Sequence, residues 1–129
     1  MNQPNRFQAF DLLATPVAVM QGQGRVRFVN AALEDALGLS RRTLYDSHLP
    51  DYFVDPQPLI LALSGAQSNE FAALRYEAQL RRLHHDEPLP VHVILALTDL
   101  PDEVIVELLP VEQQTRQERE ERLLDQAQA

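Results

Sequence analysis

Cysteine, tryptophan and lysine are all absent from this sequence of 129 residues. Without cysteine, the chain has no disulfide, thiolate zinc site, iron–sulfur cluster, cysteine nucleophile or cysteine photoadduct. Without lysine, it has no P-loop lysine, Schiff-base lysine or ATP-site lysine of a kinase, because all 11 basic residues are arginine. Aromatic residues make up only 6% of the chain, so its core has to be built mainly from leucine, valine, isoleucine and alanine.

Positive charge is also scarce. The formal net charge is -8 at neutral pH, and no block of basic residues interrupts this acidity. A chain of this kind is a poor candidate for binding nucleic acid or an anionic membrane surface. Its apolar runs fall short of the roughly 20 residues of a membrane span, and its start lacks the pattern of a signal peptide. We therefore expect one soluble, cytoplasmic domain with no nucleic-acid partner and no membrane partner.

The first residues have a helical spacing of large apolar side chains. Phe7, Phe10 and Leu13 lie three residues apart, which places them on one side of a short helix that ends before Pro16. We assign this N-terminal helix to residues 1–15. Because such a stripe is too apolar to remain in water at the edge of a small domain, its three members are candidate dimer contacts.

A β-hairpin and a capped helix are predicted next. Residues 17–20 and 25–29 are apolar or alternating, and they flank a turn that contains two glycines. Asn30 can then cap a helix over residues 31–37, and Gly38 is placed to end it.

A further helix is predicted in the middle of the chain. Asp55 followed by Pro56 is a typical helix start, because the carboxylate can cap the first turn and proline suits the first helical position. The apolar residues 59–63 form the body of this helix, and Gly65 is its predicted end.

The segment 70–83 fits two kinds of structure. Its residues alternate as in a strand, yet its apolar spacing and its content of helix formers also fit a helix. The residues that follow favour the strand, because 91–97 alternate and 104–109 are rich in β-branched side chains. Three antiparallel strands joined by tight turns are the economical arrangement, so we predict a strand over residues 72–82.

The composition changes after Pro110. Residues 112–129 are mostly glutamate, glutamine and arginine, and glutamate–arginine pairs spaced four residues apart favour a solvated helix. Leu123 and Leu124 are its main apolar side chains, and they are candidate dimer contacts. This exit helix is either a frayed tail or the start of a coiled-coil connector.

The chain resembles PAS domains. The segment 26–32, with the sequence VRFVNAA, is similar to the PAS signature in which a strand runs into asparagine and a helix of small residues. Leu44, Leu49-Pro50, residues 101–111 and the tail rich in glutamine, arginine and glutamate resemble the N-terminal sensor domain of NtrB-type nitrogen-regulation histidine kinases.

This resemblance implies an α+β fold. A PAS domain has a five-stranded antiparallel sheet with short helices on one face, and it would span residues 16–111 here. The N-terminal helix of residues 1–15 would precede it. The exit helix of residues 112–129 would lead to a histidine-kinase core that this chain lacks.

The resemblance also implies a function. In that family the full-length protein is a phosphotransferase that autophosphorylates on histidine, uses ATP and Mg, and acts as a homodimer. Its partners are a response regulator and a PII-type signal protein. None of the four histidines here has the surrounding sequence of a phosphoacceptor box, and no glycine-rich ATP lid is present. We therefore expect this chain to have regulatory but no catalytic function, with no catalytic residue and no cofactor of its own.

Apart from this resemblance, few residues suggest chemistry. The cluster His84-His85-Asp86-Glu87 is better explained as a solvated turn than as a metal site, because adjacent histidines on an extended segment point apart. His92 alone does not define a haem site. We expect no metal ligand.

Two alternative functions are left open. A small-ligand or cofactor sensor would use a cavity lined by apolar side chains, although the same residues are needed to pack helices on a sheet. The candidate lining residues are Leu33, Leu37, Leu59, Leu63, Leu74 and Tyr76. A stand-alone enzyme would use Asp51, Asp55 or Glu103, which have no nucleophilic or basic companion at a useful spacing.

Overall fold

The computed structural model describes residues 4–67 and 73–111. Its described part contains one five-stranded antiparallel sheet with the order β2-β1-β5-β4-β3. The strands are β1 (Val17–Gln21), β2 (Arg25–Val29), β3 (Ala73–Leu80), β4 (Leu89–Leu97) and β5 (Glu103–Pro110). This five-stranded sheet is the one that the resemblance to PAS domains implies, and its last strand lies at its centre.

The helical segments are short. They are the N-terminal 3-10 segment (Pro4–Leu12), α1 (Ala31–Leu37), α2 (Arg41–Leu44), a second 3-10 turn (Leu49–Tyr52) and α3 (Gln57–Gln67). Leucines from α1, α2 and α3 share one buried cluster with the valines and leucines of the strands. Within the described residues, no helix is long and apolar enough to span a lipid bilayer.

The predicted caps of α1 are confirmed. The side chain of Asn30 accepts a hydrogen bond from the Leu33 N–H, and Gly38 ends the helix with a φ of 72°. A left-handed residue costs least when it is glycine, which explains the residue at this position.

The predicted strand over 72–82 is also confirmed, as Ala73–Leu80, and the helical alternative is wrong. All eight residues of β3 pair with β4, from Ala73 opposite Ala96 to Leu80 opposite Leu89. This pairing decides against the helix that local propensity favours, because propensity is a weak preference that tertiary contacts override.

Three predicted details need correction. Helix α3 does not end at Gly65 but continues to Gln67, since a glycine in a helix interior costs only about 1 kcal/mol. Strand β4 begins at Leu89, two residues before the predicted start. The N-terminal helix is a 3-10 segment that ends at Leu12, three residues before the predicted end at residue 15.

Candidate functional site

An open groove lies between helix α3 and the edge strand β3. Its volume is about 650 Å³, which is in the range of small-molecule sites. Four helix residues line one side and three strand residues the other: Pro58, Leu61, Ala62, Gly65, Leu74, Tyr76 and Glu77.

The spacing of these residues explains how the groove forms. On α3 the lining positions are i, i+3, i+4 and i+7, which is one side of a helix. On β3, Leu74 and Tyr76 are two residues apart and therefore project from the same face of the sheet. The other side of α3 faces the core, where Leu59 and Leu63 are fully buried.

Tyr76 carries the one buried side-chain polar atom without a hydrogen-bond partner among the described residues, its hydroxyl oxygen. Burial raises the pKa of Tyr76 above its usual value, so the phenol keeps its proton and remains a donor. Leaving such a group unpaired costs about 1–3 kcal/mol.

The six predicted cavity residues fall into two groups. Leu33, Leu37, Leu59 and Leu63 are fully buried and belong to the packed core cluster. Leu74 and Tyr76 line the groove. The sequence pattern identified the apolar face, but it carried no signal for which of its members pack and which border open space.

A second site of interest holds the N-terminal segment against the sheet. Asn30 is completely buried, and its side chain makes four hydrogen bonds. Its side-chain oxygen accepts from the Val17 and Leu33 N–H groups, at 2.9 and 3.0 Å. Its side-chain nitrogen donates to the carbonyls of Phe10 and Thr15, both at 2.9 Å.

An ion-pair cluster lies on the outside of this asparagine. Arg41 on α2 donates to both Asp11 in the 3-10 segment and Glu34 on α1. Asp11 also accepts a hydrogen bond from the Ala31 N–H at 3.0 Å. The hydrogen bonds from Arg41 lower the pKa of the Asp11 carboxyl, and the two carboxylates raise the pKa of Arg41. We call Asn30, Asp11, Arg41 and Glu34 the N-terminal clamp.

The predicted dimer contacts differ in how far they are covered within one chain. Phe7 and Phe10 stack on each other at 5.8 Å between ring centroids, and both rings contact Phe28 of strand β2. Within one chain these two phenylalanines are thus partly covered. Leu13 is 46% exposed and its neighbour Leu12 is 88% exposed. Leu123 and Leu124 lie outside the described residues.

The outer face of the sheet, opposite the helices, carries the N-terminal segment and several half-buried side chains. His92 points to this face and lies 3.8 Å from the Glu77 carboxylate. It therefore does not face the core, where an axial ligand of a buried haem would have to lie.

The other candidate metal ligands and catalytic carboxylates do not come together among the described residues. Residues 84–87 form an exposed turn, as predicted. The described residues contain no group of three or more histidines and carboxylates that could hold a metal ion. Glu103 accepts hydrogen bonds from Arg6 and Thr98, whereas Asp51 and Asp55 contact nearby groups of their own turns.

The comparison with family models identifies one family. The model of a family described as PAS fold matches residues 10–119. No curated protein matches the sequence.

Solved structures with the same fold come from several signalling proteins. The PAS domain of an HTR-like protein from Haloarcula marismortui is 18% identical with a TM-score of 0.69, covering 83% of this chain and 90% of that chain. A domain of a sensory box sensor histidine kinase/response regulator from Geobacter sulfurreducens is 20% identical with a TM-score of 0.67, covering 83% and 93%. The RpfR quorum-sensing receptor PAS domain from Cronobacter turicensis, in complex with C12:0, is 10% identical with a TM-score of 0.68, covering 77% and 95%. At these identities the likeness shows the fold.

Proposed function

This chain belongs to the PAS family, and we propose that it is the regulatory sensor domain of a two-component histidine kinase of the NtrB type. In this role it acts as a homodimer and passes a conformational bias to a kinase core. The core uses ATP and Mg, phosphorylates a response regulator for nitrogen genes and responds to a PII-type signal protein.

The observation that carries the proposal is the place of β5 in the sheet. Strand β5 is the last strand in sequence, yet it pairs with β1 on one side and with β4 on the other. It ends at Pro110, and Val111 is helical. A change in the sheet can therefore reach the chain that follows β5.

Two regions of the domain are connected to strand β5. On one side, the Pro16 carbonyl accepts a hydrogen bond from the Leu108 N–H at 2.9 Å, and Arg6 in the N-terminal segment binds Glu103. On the other side, β4 connects β5 to β3, which lines the groove. A two-state change in either region can bias the exit segment, as signal transmission requires.

A ligand-sensing domain of another signalling protein is the second candidate. The groove between α3 and β3 favours it. The Cronobacter turicensis domain with this fold was solved in complex with C12:0, so the fold accommodates a small ligand in at least one relative.

A chimera tests the proposed function. Residues 1–129 are joined to the catalytic core of an NtrB-type kinase, and labelled ATP is added to the chain alone, the core alone and the chimera. We expect no label on the chain alone, and we expect phosphorylation of the regulator by the chimera to fall when a PII-type protein is added. Label on the chain alone would contradict the regulatory role. Equal activity of chimera and core, with and without PII, would contradict the NtrB-type assignment.

A further inference from the structure

The two edges of the sheet differ in how far the rest of the chain covers them. Strand β2 forms one edge and β3 the other. Three backbone hydrogen bonds of 2.8–3.0 Å join β2 and its turn to residues 46–49, which take the place of a further strand. On β3 a similar cover, residues 52–54, bonds to residues 79–81 only. Among the described residues, positions 73–77 of β3 therefore have no neighbouring strand on their outer side.

The backbone groups that face this open edge belong to Arg75 and Glu77. In a strand both backbone groups of a residue point to the same side, and the side alternates along the chain. Gln79 accepts a hydrogen bond from the Val54 N–H on the open side at 2.9 Å, so Arg75 and Glu77 point that way too. Neither residue forms a backbone hydrogen bond there with another described residue. Their N–H and C=O groups are thus available to pair with an added strand.

The side chains next to this edge alternate in character. On the side of α3, Leu74 is exposed, and so is Leu61 on the helix itself. On the other face of the strand, Arg75 and Glu77 are exposed. An added strand would place alternate side chains against the two leucines and the remaining ones opposite these two charges. The matching segment has apolar residues at every second position, an acidic residue opposite Arg75 and a basic residue opposite Glu77.

A second copy of this chain does not match these requirements. Antiparallel pairing over the whole open length, residues 73–77, would set Arg75 opposite Arg75 of the second copy, and like charges opposite each other destabilise a sheet. A shift that sets Arg75 opposite Glu77 would also set residue 73 opposite residue 79, where Val54 already pairs. The charges and the cover therefore favour a strand from a different protein.

We propose that residues 73–77 bind an extended segment of a partner protein by antiparallel strand addition, the mode of the other pairings in the sheet. From its N-terminus, the segment has a basic, an apolar and an acidic residue, which lie opposite Glu77, Tyr76 and Arg75. This inference goes beyond the proposed function, because it adds a protein-binding surface that neither dimerisation nor the groove requires. Its test uses the chain alone and does not depend on the kinase chimera.

The probe is an acetylated peptide of the sequence Val-Lys-Val-Glu-Val-Thr with fluorescein at its C-terminus. Its fluorescence anisotropy is measured against increasing concentrations of the chain, and two doubly N-methylated forms are compared with it. Methyl groups on the lysine and glutamate nitrogens block the N–H groups that would face β3, and they should weaken binding about tenfold or more, the factor for two net hydrogen bonds. Methyl groups on the second and third valines block N–H groups that face away, and they should change the dissociation constant by about twofold or less.

Two substitutions at Glu77 assign the binding to this edge. Glu77→Ala is the matched control, because it removes the charge but keeps the N–H. It should weaken binding by about fivefold or less, the factor for one cross-strand charge pair. Glu77→Pro also removes the outward N–H, which an edge strand tolerates when that group faces solvent. It should weaken binding about tenfold further, because the ring displaces both hydrogen bonds of that residue pair.

Thermal melts of both variants check the fold, and Glu77→Pro should melt close to Glu77→Ala. The proposal is overturned if the peptide does not bind, if both methylation patterns weaken binding equally, or if Glu77→Ala loses as much affinity as Glu77→Pro. A strongly destabilised Glu77→Pro would also overturn it, because the N–H would then have a partner within the fold. Light scattering tests the other occupant: if Glu77→Pro converts a dimer of the unchanged chain to a monomer, the edge binds a second copy and the proposal is wrong.

Discussion

At the scale of single residues, Asn30 is the position on which the N-terminal half depends most. One side chain satisfies two N–H groups and two carbonyls that belong to four different parts of the chain. The sequence predicted Asn30 as a helix cap and was right. It gave no signal for the bonds to Phe10, Thr15 and Val17, because these depend on how the N-terminal segment returns to the sheet.

We expect Asn30→Ala to destabilise the domain strongly. The substitution leaves buried backbone groups without partners, and each such group costs about 1–3 kcal/mol. Urea denaturation should therefore show a loss of roughly 3 kcal/mol or more. Ser40→Ala is the control, because Ser40 caps α2 at an exposed position and its loss should cost about 1 kcal/mol. Equal losses for the two variants would contradict the role given to Asn30.

Asp11 makes part of the stability dependent on pH. Its pKa is lowered in the folded chain, first by the hydrogen bond from Arg41, so its usual value near 3.8 applies only after unfolding. A carboxyl with a lowered folded pKa stabilises fully above the unfolded value, and this contribution is lost as the pH falls through the folded pKa. The free energy of unfolding should therefore decrease as the pH falls below 3.8, and protonation of Asp11 is one of the causes.

Asp11→Asn isolates that contribution, because asparagine does not titrate. Its free energy of unfolding, measured by urea denaturation, should be lower than that of the unchanged chain at neutral pH. The two curves should converge as the pH falls below 3.8. A constant difference across the whole range would mean that the Asp11–Arg41 contact does not depend on the charge of Asp11.

Arg41 shows why such contacts escape sequence reasoning. Arg41 and Asp11 are 30 residues apart, and no periodicity connects them. The contact exists only because α2 and the 3-10 segment meet beside Asn30. The groove has the same origin, since Leu61 and Leu74 come from elements that local patterns predict separately.

At the scale of elements, we propose the N-terminal 3-10 segment and the outer sheet face as the dimer surface. Phe7 and Phe10 are partly covered by Phe28, so the sequence-based reason for a dimer now falls on the exposed Leu12 and Leu13. Ile94, Ile105 and Leu109 are half-buried side chains on the outer face of the sheet. Burial of Leu12 and Leu13 against a partner subunit would stabilise association.

We expect the double variant Leu12→Asp with Leu13→Asp to weaken a homodimer without unfolding the domain. Light scattering over a concentration series should give dimer mass for the unchanged chain and monomer mass for the variant at the same concentration. The control is Leu61→Asp with Leu83→Asp, which changes two exposed leucines on other surfaces. Monomer mass for the unchanged chain at all concentrations would contradict the dimer proposal for this domain by itself.

Elements with strong local signals were predicted well. The hairpin, the caps of α1 and the strands of the meander follow from glycine position, capping chemistry and alternation. The end of α3 and the start of β4 were wrong by two residues, because local patterns do not reveal the packing that extends an element.

At the scale of the whole molecule, strand β5 connects the N-terminal clamp to the groove. The N-terminal clamp holds the segment that precedes β1, and β1 pairs with β5 along Val17 to Gln21. The groove reaches β5 through β3 and β4. Because the chain continues from β5 to Val111, the proposed function requires that a change in the N-terminal clamp alters the activity of the kinase core.

The most direct test of this claim measures the kinase chimera with two matched substitutions. Asp11→Asn weakens the clamp, whereas Asp46→Asn weakens an exposed ion pair with Arg25 outside it. We predict that Asp11→Asn changes the ratio of kinase to phosphatase activity by about fivefold or more, the lower range of allosteric coupling, and that Asp46→Asn leaves the ratio unchanged. An unchanged ratio in a folded Asp11→Asn chimera, or equal effects of both substitutions, would contradict the account.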